Sequence, residues 1–235
     1  MGAEQHFAHR GLHDQWLPRN SLAAIVAAAD AGYGVEFDIQ LSQDRIPFVT
    51  HDSNTISDTG VDLVIGQTHS SQLRELKFVD TNHQLSTLDD VLSNVSPSTP
   101  LLVDIKPTNQ IRATVLEVGR RIEVRSESVA MQSFEPHTVF YAKRNFPNIS
   151  VGQLGEEPNS KMGFVEYWQT KTLVSNYVNK PDFINMWLPM LDRKVTHYWR
   201  EKLGCPVLGW TVVDDEDISL CQRLGVSMVF EKVKP

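Results

Sequence analysis

The sequence predicts an α/β fold in which a parallel sheet closes into a barrel. Short apolar runs alternate with helical patterns along the whole chain, in about eight strand-and-helix units. Repeated units of this kind favour parallel strands covered by helices, and eight of them favour closure of the sheet. A length of 235 residues also suits a single TIM (β/α)8 barrel domain, residues 1–235. A doubly wound open sheet is the alternative architecture.

The predicted elements follow one another in a regular order. An alanine-rich helix at 22–29, capped by Ser21 or Asn20, follows the first strand, and further helices are predicted at 111–124 and 214–224. The stretch 52–85 is polar, irregular and too long for a simple connection, so we predict a small inserted segment there, after the second barrel strand and over the barrel mouth. Strands are predicted at 6–9, 35–39, 47–51, 101–106, 128–134, 149–154, 182–187, 206–213 and 226–230.

Composition excludes several classes of partner. A net charge of -7 without a large cluster of lysine and arginine argues against a nucleic acid partner, although a bound metal ion could still attract a small anion. No apolar run is long enough to cross a bilayer, and the first six residues do not form a secretory signal. Cys205 and Cys221 match no zinc spacing, and two buried thiols are expected rather than a disulfide. These absences predict a cytoplasmic protein.

Acidic residues close two of the predicted strands, where a TIM barrel carries its functional groups. Glu36 and Asp38 are two residues apart, so their side chains point to the same side of the strand. Two carboxylates facing a barrel interior repel each other and lose hydration, and a divalent cation resolves that conflict. Asp104 offers a third oxygen ligand, and an all-carboxylate set predicts Mg²⁺ or Ca²⁺ rather than zinc. Ion-paired or surface carboxylates are the simpler alternative.

Basic and titratable residues also stand at the ends of predicted strands. His9 ends the first strand and His51 ends the extended piece after the second, and histidine can accept or donate a proton near neutral pH. Phosphodiester cleavage needs one group that deprotonates the attacking oxygen and one that protonates the leaving oxygen. Arg10 and Lys106 supply fixed positive charge for phosphate oxygens. Structural roles, as packed histidines and counter-ions, are the alternatives.

These residues belong to a series of motifs that resembles the glycerophosphodiester phosphodiesterases. That family typically reads His-Arg-Gly, Pro-Glu-Asn-Thr, Glu-x-Asp and His-Asp in this order. The resemblance extends from His9 to about Val229, and the order and spacing of the motifs carry it. The matching segments are His9-Arg10-Gly11, Pro18-Arg19-Asn20-Ser21, Glu36-Phe37-Asp38, His51-Asp52, Ser86-Thr87-Leu88-Asp89-Asp90-Val91-Leu92, Asp104-Ile105-Lys106, Gln132-Ser133-Phe134 and Gly209-Trp210-Thr211-Val212.

The resemblance implies a TIM barrel that hydrolyses a glycerophosphodiester, with the help of a divalent metal, to glycerol 3-phosphate and an alcohol. In the scheme usual for the family, the glycerol 2-hydroxyl attacks phosphorus and a cyclic phosphate is then hydrolysed. The family roles fall on the residues already selected: His9 and His51 as the acid and base, Glu36, Asp38 and Asp104 as metal ligands, Arg10 and Lys106 as phosphate contacts, and Trp210 as a wall of the substrate pocket.

The sequence departs from the family pattern at several positions, which leaves the leaving alcohol open. Asp104 stands where the family usually has Glu, Val213 where it commonly has Asn, and Glu231-Lys232 where it has Thr-Asp. Arg19 replaces the Glu of Pro-Glu-Asn-Thr, and we hypothesise that it contacts a more anionic substrate.

Two other functions and one assembly stay open. A related enzyme on the same scaffold would release a cyclic phosphate, as the phospholipase D toxins do, and a barrel that has lost catalysis would only bind a phosphorylated ligand. The sequence shows no helix after its last predicted strand, which suggests a homodimer covering that seam.

Overall fold

The computed structural model describes residues 5–235 and contains a closed barrel of parallel strands surrounded by helices. The prediction that the first six residues do not form a secretory signal therefore rests partly on residues outside this described range. Every predicted strand has a counterpart within two residues at either end. The strands are β1 (Phe7–His9), β2 (Gly34–Leu41), β3 (Pro47–Val49), β4 (Leu101–Ile105), β5 (Val129–Ser133), β6 (Ser150–Gly155), β7 (Phe183–Trp187), β8 (Val207–Val212) and β9 (Ser227–Phe230).

The sheet closes because β1 pairs in parallel with both β2 and β9. The remaining barrel strands pair in parallel in the order β9-β8-β7-β6-β5-β4-β2, which completes an eight-stranded ring. The predicted TIM barrel is therefore confirmed, and the open-sheet alternative is wrong. β3 lies outside this ring, since it pairs antiparallel with the end of β2.

Helices connect the strands and cover the barrel. The predicted helices correspond to α1 (Leu22–Asp30), α5 (Ile111–Ile122) and α10 (Asp215–Leu224). Ser21 caps α1 by accepting a hydrogen bond from the backbone N–H of Ala24, and Asp214 caps α10. A π-helical turn at Tyr198–Lys202 and 3-10 turns at Ile65–Gln67, Glu123–Arg125 and Leu188–Met190 complete the connections. The α-helices are α1 (Leu22–Asp30), α2 (Ile56–Thr59), α3 (Ser70–Leu73), α4 (Leu88–Asn94), α5 (Ile111–Ile122), α6 (Pro136–Asn145), α7 (Phe164–Thr172), α8 (Asn176–Asn179), α9 (Lys194–His197) and α10 (Asp215–Leu224).

The inside of the barrel is apolar at the beginning of the strands and polar at their carboxyl ends. The Phe7 ring lies over Gly34, where a Cβ atom would come within 2.7 Å of it. Leu102 belongs to the same interior cluster, and Asp104 follows it two residues later on the same face of β4. The apolar layer supports the polar one, which places the functional groups at one end of the barrel. The interior cluster consists of Phe7, Leu102, Ala130, Phe183, Leu208 and Val229.

The segment between β3 and α4 has a small core of its own. It contains α2, α3 and a 3-10 turn, so it is more regular than its polar sequence predicts. Asp44, in the turn before β3, accepts hydrogen bonds from the backbone N–H and the hydroxyl of Ser70 and so attaches α3 to the barrel. The core of the segment is Phe48, Ile65, Leu73, Phe78 and Leu85.

Two expectations from composition can be compared with residues 5–235. Cys205 and Cys221 are both buried free thiols, as predicted. Across the described part of the chain, no helix combines the length and the apolar character that a bilayer span requires.

Candidate active site

Three carboxylates converge at the carboxyl ends of two neighbouring strands. Glu36 and Asp38 project from β2, and the parallel register places Asp38 opposite Asp104 of β4. All three are buried, and one oxygen from each lies within 4.8 Å of the others. The period of two along a strand explains why Glu36 and Asp38 share a face, whereas only the strand register brings Asp104 to them.

Two cations lie against these carboxylates. The ammonium group of Lys106 is 2.7 Å from an oxygen of Asp38 and 2.6 Å from an oxygen of Asp104. The Arg10 guanidinium Nε is 3.1 Å from the second oxygen of Asp38. The backbone N–H of Arg10 also donates to Glu36, at 3.2 Å. Arg10 has a positive φ of 58°, an uncommon conformation that turns both its backbone and its side chain toward the acidic group.

The environment separates the protonation of the three acids. Burial, reinforced by the charges of Asp38 and Asp104, raises the pKa of Glu36 well above its usual value. Burial alone would raise the pKa of Asp38 as well, but Lys106 and Arg10 outweigh it and hold the pKa at about 2. Burial raises the pKa of Asp104 to about 6 despite Lys106. The chain therefore holds more buried acid than its own cations neutralise.

The donor set fits a divalent metal ion. The Oδ1 atom of Asp104 is buried and accepts no hydrogen bond, which leaves an acceptor with no donor. Burial, which removes both carboxylates from water, raises the pKa of Glu36 and of Asp104, and a bound cation would offset that cost. Clustered carboxylate oxygens suit a hard ion such as Mg²⁺ or Ca²⁺. The ordinary counter-ion interpretation also holds, because Lys106 and Arg10 pair with Asp38.

His9 lies beside the acidic group and is oriented by Glu231. The Nδ1 atom of His9 is 2.9 Å from a carboxylate oxygen of Glu231, just after β9. The other oxygen of Glu231 is 3.7 Å from His13. Burial lowers the pKa of His9, so we assign it a neutral ring that donates its Nδ1–H to Glu231. That hydrogen bond also holds the pKa of Glu231 at about 2.

His51 is more exposed and has a different carboxylate partner. Its Nδ1 is 2.6 Å from an oxygen of Asp52, whose second oxygen accepts a hydrogen bond from the Ser57 hydroxyl at 2.7 Å. The hydrogen bond from His51 lowers the pKa of Asp52. Both histidines thus have a carboxylate at Nδ1, so the same ring nitrogen is held in each of them.

All eight residues selected from the sequence line one cavity of about 250 Å³ at the carboxyl ends of the strands. Trp210 forms a wall opposite the acidic group, with its ring edge-to-face against Phe134 at 5.5 Å and its indole N–H bonded to the backbone oxygen of Asn185. The Asn185 side chain donates in turn to Gln132. The eight are His9, Arg10, Glu36, Asp38, His51, Asp104, Lys106 and Trp210.

Several supporting residues were not selected as site residues from the sequence. Asn20, in the Pro-Arg-Asn-Ser motif, donates to Asp38 at 2.8 Å. Glu231 appears in the sequence analysis only as a departure from the family pattern, and His13 is not among the residues selected there. Nothing local relates Glu231 to His9, because they are 222 residues apart and meet only where β9 pairs with β1. Arg19 lies 3.5 Å from Asp58 of the inserted segment and is not among the residues that line the cavity.

Comparisons with known proteins agree with this geometry. The Glycerophosphoryl diester phosphodiesterase family matches residues 9–231. A glycerophosphodiester phosphodiesterase of Caldanaerobacter subterraneus subsp. tengcongensis is 26% identical over 239 residues, covering 93% of this chain and 90% of the relative. Among solved structures, the Thermotoga maritima glycerophosphodiester phosphodiesterase has a TM-score of 0.78 and 24% identity, with 97% of this chain and 94% of that one covered.

A second solved structure was determined with a product. The Oleispira antarctica phosphodiesterase, in complex with sn-glycerol-3-phosphate, has a TM-score of 0.76 and 23% identity, covering 97% of this chain and 92% of that one. At these identities the structures show the shared fold, whereas the family match includes every residue that lines the cavity. The chain therefore belongs to the glycerophosphoryl diester phosphodiesterase family.

Proposed function

We propose that this chain hydrolyses a glycerophosphodiester to glycerol 3-phosphate and an alcohol, with a divalent cation and two histidines. One observation carries the proposal: a single cavity presents three buried carboxylates, two cations and two carboxylate-oriented histidines. A phosphodiester needs this combination, because negative charge must be stabilised while one proton leaves the nucleophile and another reaches the leaving oxygen. The product in the Oleispira antarctica complex is consistent with this substrate class.

Glu36, Asp38 and Asp104 would hold Mg²⁺ or Ca²⁺. The bound ion would supply Lewis-acid stabilisation of charge on the phosphoryl oxygens. Lys106 and Arg10 contribute fixed positive charge on the same side of the cavity. Arg10 uses its Nε toward Asp38, and its two terminal nitrogens remain for phosphate oxygens. The cations thus serve both as counter-ions and as phosphate contacts.

His9 is the better candidate for the general base. Its burial favours the neutral ring, and Glu231 fixes the tautomer that carries the proton on Nδ1. Nε2 can then accept the proton of the glycerol 2-hydroxyl as that oxygen attacks phosphorus. Glu231 is a positioning residue in this scheme, since it acts on the substrate only through His9.

His51 is the better candidate for the general acid. The Asp52 carboxylate, 2.6 Å from its Nδ1, orients the ring so that Nε2 can give a proton to the leaving alkoxide. The resulting cyclic phosphate is hydrolysed when the two histidines exchange roles. His51 follows β3, at the start of the inserted segment, so the acid and the base come from different parts of the fold.

The deciding experiment measures release of glycerol 3-phosphate from glycerophosphocholine, after EDTA treatment and after addition of Mg²⁺ or Ca²⁺. Metal-dependent release, with D38N inactive, is the expected result. Thermal unfolding followed in parallel should show that Mg²⁺ or Ca²⁺ raises the Tm of the wild type and not that of D38N. Release that is equal in EDTA would contradict the metal role.

Phosphorus NMR of the same reactions separates the alternatives. A cyclic phosphate that accumulates and persists would favour the cyclising reaction over hydrolysis. Absence of any product from the folded protein would favour a barrel that only binds a phosphorylated ligand. Residence in the cytoplasm, organisation as one domain and assembly into a homodimer stay predictions from the sequence.

A further inference from the structure

A second cavity adjoins the first at the mouth of the barrel. It has a volume of about 370 Å³ and lies between the carboxyl end of β6, the start of α6 and helix α7. Phe134, Leu154 and Glu156 line both cavities, so the two are neighbours at the mouth of the barrel. A diester bound with its phosphate beside the carboxylates and histidines would extend one of its two substituents into this second space.

The second cavity is lined by acids without matching cations. Its charged lining consists of Glu135, Glu156 and Glu166, and no lysine or arginine is among its described lining residues. Glu135 contacts His137 at 2.7 Å, and Glu166 accepts only a long hydrogen bond from the Gly163 N–H. Glu156 makes no hydrogen bond or ion pair to any residue in the range 5–235. Burial and the charge of Glu166 raise the pKa of Glu156, which is the behaviour of a carboxylate that lacks a cation.

A buried amide gives independent evidence for a missing donor. Gln153 lines this cavity and is only 3% exposed. Its amide nitrogen donates to the backbone oxygens of Ser133, Phe134 and Leu154 at 2.9–3.0 Å, which fixes the orientation of the group. Its carbonyl oxygen is buried and accepts no hydrogen bond. Buried acceptors are normally satisfied, so a donor from a ligand is the natural partner here.

The spread of these acceptors suits an organic cation better than a metal ion. Within the described part of the chain, the compact grouping of carboxylates is the one formed by Glu36, Asp38 and Asp104, and the three glutamates form no such group. The second cavity also has apolar walls at Phe134, Leu154, Met162 and Leu173, which suit methylene or methyl groups.

We propose that the second cavity is the subsite for the leaving alcohol and that it selects an alcohol carrying an ammonium group. This inference rests on the proposed function, whose substrate it makes more specific. A primary ammonium would donate to Gln153 and pair with Glu156, whereas a quaternary ammonium would rely on the carboxylates and the Phe134 ring. Both share the positive charge that the cavity lacks, and a neutral polyol does not supply it.

The experiment compares kcat/KM for glycerophosphoethanolamine, glycerophosphocholine and the uncharged glycerophosphoglycerol. The wild type should prefer the two cationic diesters over the neutral one. E156Q should lower the ratio of cationic to neutral kcat/KM by about 5- to 10-fold, the scale of a partly exposed charge-assisted contact. E166Q should have a smaller effect, because Glu166 is exposed and already accepts the Gly163 N–H.

E157Q is the matched control. Glu157 is the next residue along the chain, is exposed, pairs with Arg193 at 2.6 Å and lines neither cavity. It should leave all three kcat/KM values within about two-fold of the wild type, as expected for an exposed ion pair.

The outcomes separate the subsite from the reaction. A wild type that hydrolyses all three diesters equally, or an E156Q ratio equal to that of E157Q, overturns the ammonium subsite and leaves the hydrolase intact. A larger loss for the ethanolamine diester than for the choline diester identifies the primary ammonium as the preferred group. Hydrolysis of none of the diesters, with any metal, overturns the proposed function and the subsite together.

Discussion

The two sides of the barrel mouth differ in whether their carboxylates have partners within the protein. On the side of β1, β2 and β4, each buried carboxylate has a cation or a backbone N–H within hydrogen-bonding reach: Asp38 contacts Arg10 and Lys106, Asp104 contacts Lys106, and Glu36 contacts the Arg10 N–H. On the side of β6 and α7, Glu156 has no partner among residues 5–235. Our proposals assign phosphate and a metal ion to the first side and a cationic group of the substrate to the second.

The difference shows what each side contributes to recognition. Fixed dipoles and charges that are already in place can stabilise a transition state without rearrangement, which requires a tightly connected network. A specificity subsite works by leaving its own groups unsatisfied until the correct ligand arrives, so substrates that lack the matching group are rejected. We call the side of β1, β2 and β4 the connected side and the side of β6 and α7 the open side. The connected side should govern turnover and folding, and the open side should govern the choice of alcohol.

The largest expected effect lies on the connected side. H9A and H51A should each lower kcat by roughly 100-fold or more, because each removes one proton-transfer group. Circular dichroism and metal-induced thermal stabilisation should remain close to those of the wild type. H197A is the control, since His197 lies on α9 and contacts Asp192 and Glu201 rather than the cavity. Near-normal turnover by both active-site variants would break the acid and base assignment.

A second effect concerns stability. K106M should lower the free energy of unfolding in EDTA by about 3 kcal/mol, because it leaves Asp38 and Asp104 buried without their shared cation. K143M should cost less than about 1 kcal/mol, since the Lys143–Asp182 pair is partly exposed. Urea denaturation measures both values.

Adding Mg²⁺ or Ca²⁺ should then recover more stability in K106M than in the wild type, because a bound dication replaces the missing charge. If K106M and K143M lost equal amounts of unfolding free energy, the buried pairs of Lys106 would contribute no more to stability than an exposed ion pair does.

The smallest expected effect concerns Glu156, on the open side. Replacing it should raise the free energy of unfolding, whereas replacing Lys106 should lower it. The raised pKa of Glu156 means that the folded state favours the protonated acid, so stability is fully present below the ordinary value of 4.5 and is lost as pH rises through the folded value. E156Q should therefore raise the free energy of unfolding at pH 7 by about 0.3 kcal/mol, a small value because the group is only partly buried. The gain should disappear near pH 4 in denaturation experiments. A loss of stability at pH 7 would show that Glu156 has a structural partner.

Much of the fold followed from local patterns. The sequence interpretation agrees with the structure for the strands, for the helices α1, α5 and α10, and for the burial of Cys205 and Cys221. Each of these depends on side-chain alternation, helical spacing or apolar character over a few neighbouring residues. The inserted segment was predicted at 52–85, but its helices α2 and α3 were not, since four-residue helices leave almost no periodicity.

The sequence by itself determined which residue types stand at the ends of which strands, and therefore that carboxylates, histidines and cations would face one end of a barrel. Side-chain alternation and the common direction of parallel strands are sufficient for that. Only the tertiary structure decided that Glu231 meets His9, that Lys106 joins Asp38 to Asp104, and that Glu156 lies without a partner between two cavities. Such contacts depend on strand register, barrel closure and the path of loops, which join residues far apart in sequence and leave no local pattern.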